Sequence, residues 1–157
     1  MRILVDTNIC LDILQKRRWE SLPSVVDTNI CLDILQKRSE LYQSSRDALI
    51  LAFDKGYKLY LSTATVMDIM YITRKTFSDN VQQRATVEEF ISVFKLLKVS
   101  KADIKYAFSG VMKDFEDAVQ AHCAKNHGIK LIITRNIKDF VNSPVKAMTP
   151  EDFLNIQ

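Results

Sequence analysis

The sequence predicts a three-layer α/β/α domain with a central parallel sheet, one domain spanning residues 1–157. Three observations predict it. Short apolar runs alternate with segments of helical periodicity, the order in which crossover helices cover both faces of a parallel sheet. The chain is 157 residues long, 47% hydrophobic and 26% charged, which suits one compact domain with a real core. No apolar run approaches the roughly 18 to 20 residues a membrane-crossing helix needs.

The first element is written twice. Val5–Arg17 reads VDTNICLDILQKR, and Val26–Arg38 reads the same, a period of 21 residues. Identity over thirteen residues marks a recent or engineered duplication, and two copies do not make a solenoid. One copy is expected to form the first strand and helix. The other is then extra to the usual fold: an appendage, an inserted helix, or a segment exchanged with another subunit. Arg2-Ile3-Leu4 before copy one is a good buried strand start. Leu22-Pro23-Ser24-Val25 before copy two is weaker, although Pro can open a strand. Copy two, however, runs straight into the next helix, whereas using copy one requires the excess to loop out. Closure entropy tolerates such a loop, so both choices stay open.

Beyond the repeat, Ser39 is positioned to cap a helix reaching about Lys55, with Leu41, Ser45, Ala48, Leu49, Ala52 and Phe53 on one face and Gly56 ending it. Tyr57–Leu61 reads as a strand. Ser62 or Thr63 caps a helix with Val66, Ile69, Met70 and Thr73 inward. A helix over about Asn80–Ile91 precedes a strand near Phe94–Val99, and Ser100 caps a short helix. Asp114–Asn126 is helical, with Phe115, Ala118, Val119 and His122 at core spacing and Gly128 closing it. Lys130–Thr134 and Pro144–Met148 are the last strands, and Thr149-Pro150 opens a final helix.

Composition narrows the classes. Lys and Arg exceed Asp and Glu by 22 to 19, a net charge of +3, which permits a nucleic-acid partner without requiring one. Cys10, Cys31 and Cys123 show no C-x-x-C spacing, and His122 and His127 are the only histidines. The cysteines read as apolar core residues, not zinc ligands. Asp6 and Asn8 interrupt any signal-peptide core, so a cytoplasmic, membrane-free protein is expected.

In parallel sheets, ligands sit at the carboxyl ends of the strands. The first strand ends in Asp6-Thr7-Asn8 or Asp27-Thr28-Asn29. The second leads into the helix carrying Asp68. The helix from Asp114 places Asp114 and Asp117 on one face, with Glu116 directed elsewhere. The Lys130–Thr134 strand ends in Thr134-Arg135-Asn136, with Asp139 one turn later. Each residue has a bland reading: Asp6, Asp27, Asp114 or Asn136 as a helix cap, Asp68 as a solvated side chain, Asp117 as a partner for Lys. Jointly they gather carboxylates at one sheet end, where mutual repulsion calls for a hard cation such as Mg²⁺ or Mn²⁺. Such an ion activates water against a phosphodiester. Nearby Arg135, Lys138, Arg74 and Lys75 are candidates for phosphate contacts, or simply solvated helix ends. A phosphatase with an Asp nucleophile would want a second Asp where Asn8 or Asn29 stands.

Together, Ile3–Asn8 (ILVDTN), Asp114–Ala121 (DFEDAVQA), Ile132–Phe140 (IITRNIKDF) and the Thr149–Leu154 tail (TPEDFL) resemble the PIN-domain family, in particular its bacterial VapC-like toxin branch. The resemblance covers nearly the whole chain apart from one repeat copy. It implies a Mg²⁺- or Mn²⁺-dependent endoribonuclease, held inactive by an antitoxin protein and commonly a homodimer. It maps the metal and catalytic positions onto Asp6 or Asp27, then Asp68, Asp117 and Asp139, with Asn8 or Asn29, Asp114, Thr134 and Asn136 in support. Family spacing favours Asp27 over Asp6. Two features depart from the pattern: Asp68 stands where many relatives have Glu, and the first element is doubled. The alternative reading is a catalytically inactive PIN module acting by protein or RNA binding.

Overall fold

The computed structural model describes residues 24–156; the first repeat copy, with Asp6, Asn8 and Cys10, lies outside them. Five short strands form one all-parallel sheet: β1 (Ser24–Val26), β2 (Leu59–Ser62), β3 (Lys95–Leu97), β4 (Leu131–Ile133) and β5 (Lys146–Met148), in the order β3-β2-β1-β4-β5. Helices α1 (Thr28–Leu35), α2 (Ser39–Asp54), α3 (Thr63–Thr73), α4 (Asn80–Ile91), α5 (Lys101–Phe108), α6 (Phe115–Asn126) and α7 (Pro150–Asn155) surround it, with a 3₁₀ turn at Ile137–Phe140. No helix among the described residues is long and apolar enough to cross a membrane.

The second copy and the two residues before it therefore supply the central strand, and the copy the first helix, of the described structure. Continuity decides in its favour: Leu41 and Tyr42 both donate backbone N–H groups to the carbonyl of Arg38, so copy two passes directly into α2. Ser24 and Val25 pair with Leu59 and Tyr60 on one side, and Ser24–Val26 pair with Leu131–Ile133 on the other.

Strand alternation makes the three layers. Val26, Leu131 and Ile133 face a core shared with Ile30, Ile34, Leu35, Leu49, Ile69, Phe90 and Phe153. Val25 and Ile132, one residue out of phase, face a second core with Ala118, Val119, Ala121, Ala124 and Phe140. α1, α2, α3, α4 and α7 thus cover one face, and α5 and α6 the other.

Helix ends follow the expected local chemistry. Gly56 and Gly128 take φ of 75° and 71°. Behind them, Tyr57 N–H reaches the carbonyl of Ala52 and Ile129 N–H that of Ala124, at 2.7 and 2.9 Å. This is the Schellman closure that a non-glycine residue enters at a cost. Ser62, Ser100 and Thr149 each cap a helix through the side chain. α2 differs: the helix begins at Ser39, and Arg38 occupies the cap position without a side-chain bond.

Two expected core residues of α6 sit elsewhere. Phe115 is 41% exposed and packs edge-on against Phe108, because the inward stripe starts one turn later, at Ala118. His122 is half-buried, stacked on Tyr106 and bonded through Nδ1 to the buried Asp103 at 2.8 Å. The strands are also shorter than the apolar runs suggest, three or four residues each.

Candidate functional site

Asp27 ends β1 and stands at the N-cap of α1, yet its side chain makes no capping bond. Its backbone N–H pairs with the carbonyl of Ile133, which fixes it beside β4. The carboxylate is buried, and both oxygens are held. Thr134 Oγ1 donates to Oδ2 at 2.6 Å, and Gln120 Nε2 donates to Oδ1 at 3.1 Å. Each donor is itself oriented. Thr65 Oγ1 donates to Gln120 Oε1 at 3.4 Å, and Asn136 N–H donates to Thr134 Oγ1 at 3.0 Å. A relay from α3 through α6 to the end of β4 thus sets this carboxylate. The cap reading accounts for the position of Asp27 but not for the direction of its side chain.

Around it opens a cavity of about 360 Å³ at the carboxyl ends of the strands, lined by Asp27, Asn29, Asp68, Asp114, Glu116, Asp117, Asn136 and Asp139 among others. Asp68 comes from α3, Asp117 from the first turn of α6, and Asn136 and Asp139 from the turn after β4. Asp114 does what its bland reading proposed, accepting the Asp117 N–H at 2.9 Å as the α6 cap, while also facing the cavity. Glu116, expected to point away, lines it as well, because the first turn of α6 lies along the rim.

The electrostatics follow from burial and crowding. Burial, then the charges of Asp27, Asp114, Asp139 and Glu116, push the Asp117 carboxyl up to about 7. Burial, then Glu116 and Asp27, raise Asp68. Burial raises Asp27 against the opposing bonds from Thr134 and Gln120. Among the described residues, no Lys, Arg or His lines this cavity, and none of these carboxylates is in an ion pair.

The four basic side chains expected at phosphate are not in the cavity wall. Arg135 is tied to the buried Asp33 at 2.8 Å. Arg74 lies over the Tyr71 ring at 3.9 Å. Lys75 and Lys138 are exposed. A side chain that follows a strand end alternates between faces, and Thr134, not Arg135, has the inward phase toward Asp27.

The carboxylates fit a divalent cation that keeps much of its own water. Among the described residues no three His, Cys, Asp or Glu side chains are grouped to hold a metal between them. Mg²⁺ needs only one or two carboxylates. The buried Oδ1 of Asn29, next to Asp27, has no hydrogen-bond partner among the described residues and leaves a further oxygen donor available.

A PIN-domain family model matches residues 23–138. The chain belongs to the PIN-domain family. The match starts at the second copy, the one that builds β1. Ribonuclease VapC1 of Aquifex aeolicus (strain VF5) is 26% identical over 157 residues, covering 97% of this chain and 92% of the relative. Among solved structures, VapBC2 from Rickettsia felis bound to a DNA fragment from its promoter superposes with a TM-score of 0.64 at 19% identity, over 82% of this chain and 98% of that one. A toxin–antitoxin complex from Klebsiella pneumoniae gives 0.62 at 24% identity, over 81% and 97%. At these identities the two structures speak for the PIN fold.

Proposed function

We propose that this PIN protein is an endoribonuclease that hydrolyses RNA phosphodiester bonds with Mg²⁺ or Mn²⁺, acting in the cytoplasm as the toxin of a toxin–antitoxin pair. One observation carries the reading: Asp27, Asp68, Asp117 and Asp139, from four separate chain segments, face one cavity with no cation among its described lining residues. Leaving like charges together without compensation is costly, and a bound divalent ion relieves it.

Asp27 and Asp117 would hold the ion, with Asp68 and Asp139 close enough to bind its waters. When bound, the ion offsets the charge that develops on the phosphate and makes water a better nucleophile. The chain's own groups do the rest. Thr134 and Gln120 keep the Asp27 oxygens in place. Asp117, whose carboxyl stands at about 7 without a cation, would give up its proton on binding one. Asn136 and Asp139 offer polar atoms to orient the attacking water.

The names of the relatives support the partner. The Aquifex protein is a ribonuclease, and the Klebsiella structure is a toxin–antitoxin complex. An antitoxin is proposed on that footing, and a homodimer, with the extra repeat copy exchanged between subunits, on the resemblance of the sequence to the family. The lack of basic residues along the described cavity wall favours a second reading, a PIN module without catalysis.

Asp117 is the residue to test, because the first aspartate exists twice in the sequence. The parent should cleave RNA in Mn²⁺ and stop in EDTA, and Asp117→Asn should stop it in both while keeping the far-ultraviolet circular dichroism. Calorimetry showing no Mn²⁺ binding to the parent, together with no cleavage, would establish the inactive module instead.

A further inference from the structure

Asp33 lies on α1 six residues after Asp27, in the same repeat copy, and is fully buried. A buried carboxylate costs several kcal/mol unless its oxygens are occupied, and these are. Oδ1 accepts from Arg135 Nη2 at 2.8 Å and lies 3.8 Å from Arg38 Nη1, while Oδ2 accepts from Ser45 Oγ at 2.7 Å. The partners come from three places: the end of α1, the inner face of α2, and the turn after β4.

Thr134 and Arg135 are consecutive. The first reaches back to Asp27 and the second to Asp33. The turn that delivers Asn136 and Asp139 to the cavity is thus clipped to α1 at two successive residues. Thr134 alone is a single short bond about which the turn could pivot. Arg135, whose Nη2 donates to a buried charge, adds a second point of attachment and removes that freedom. Burial pushes the Asp33 carboxyl up, with Ser45 and Arg135 opposing.

We propose that Asp33 and Arg135 are positioning residues of the PIN site, a buried charge clip that holds the Asn136–Asp139 turn in its working place. The inference rests on the nuclease reading for its kinetic consequence but not for its structural one. Misplacing a participating group by about 1 Å costs about 100-fold in rate.

The test replaces both charges with apolar side chains of similar volume, Asp33→Leu with Arg135→Met, since removing one partner alone strands the other. Arg135→Lys serves as the conservative control, keeping a charge but losing the planar guanidinium that reaches Asp33 Oδ1. The double variant should keep its thermal midpoint and its Mn²⁺ affinity by calorimetry. Amide hydrogen exchange over Asn136–Phe140 should rise at least tenfold, and kcat should fall about 10- to 100-fold with KM unchanged. Arg135→Lys should fall between parent and double variant. Parent-like exchange in both variants overturns the clip, whether or not the parent cleaves RNA. A rise in KM alone overturns it differently, by making Arg135 an RNA contact. If the parent proves inactive but exchange rises as stated, the clip stands and the nuclease reading falls.

Discussion

The crowding of carboxylates should be measurable as stability before any reaction is followed. Asp117 is the sharpest probe, because burial and four acidic neighbours move its carboxyl from 3.8 to about 7. That displacement corresponds to ~4 kcal/mol of penalty for ionising it in the folded chain. Asp117 is partly open to solvent, so screening brings the working figure to ~2 kcal/mol. Between about pH 4 and about pH 7 the folded chain keeps a proton that the unfolded chain has released, so stability declines as pH rises through this window and the full penalty stands above it. Asp117→Asn removes the charge at nearly constant shape. In EDTA at about pH 8 the variant should be more stable than the parent by ~2 kcal/mol, raising the midpoint about 4 to 8 °C for a chain of this size. Below about pH 4, where the carboxyl is neutral in both states, the two should coincide. Mn²⁺ should raise the parent's midpoint and leave that of Asp117→Asn nearly still. Urea and thermal unfolding across the pH range measure all of this. A variant no more stable than the parent at high pH, or an advantage independent of pH, would refute the electrostatic account of the cavity.

Two further outcomes follow from the geometry. Gln120→Met keeps the side-chain length but removes the donor to Asp27 Oδ1; it should leave the thermal midpoint within a few degrees while weakening Mn²⁺ binding roughly tenfold by calorimetry, on the scale of a lost orienting partner. Deleting residues 5–25 fuses Leu4 to Val26 and replaces the strand Ser24-Val25-Val26 by Ile3-Leu4-Val26; the product should keep the circular dichroism spectrum and cooperative unfolding of the parent, and a molten or aggregated product would show that the deleted stretch, first copy and spacer together, is needed for folding.

The architecture was readable because it rests on local signals. Periodicity, the glycines at positions 56 and 128 and the Ser or Thr caps each act within a few residues, and together they order the helices and strands. The cavity aspartates were readable for a related reason, since strand ends in a parallel sheet converge whatever lies between them. What stayed hidden depends on contacts between distant residues. Gln120 sits among Ala118, Val119 and Ala121 at a spacing that reads as core, and its use as a donor depends on a partner 93 residues away. Asp33 reads as one more polar residue of an amphipathic helix, and Arg135 as a phosphate ligand. Their bond spans 102 residues and has no local signature. Choosing between repeat copies stayed open for a plainer cause: identical residues carry identical propensities, the residues before each copy and the spacing to Asp68 pulled apart, and the backbone bonds through Arg38 into α2 decide for the second.

Asp27, Asp33 and Arg38 belong to a thirteen-residue stretch that the sequence spells out twice. A lesion confined to residues 26–38 leaves an unaltered spare upstream, whereas a lesion at 114–121 has none. Alanine scanning of the first aspartate therefore interrogates a backed-up locus, and mutational tolerance along this chain should reflect copy number as well as chemistry.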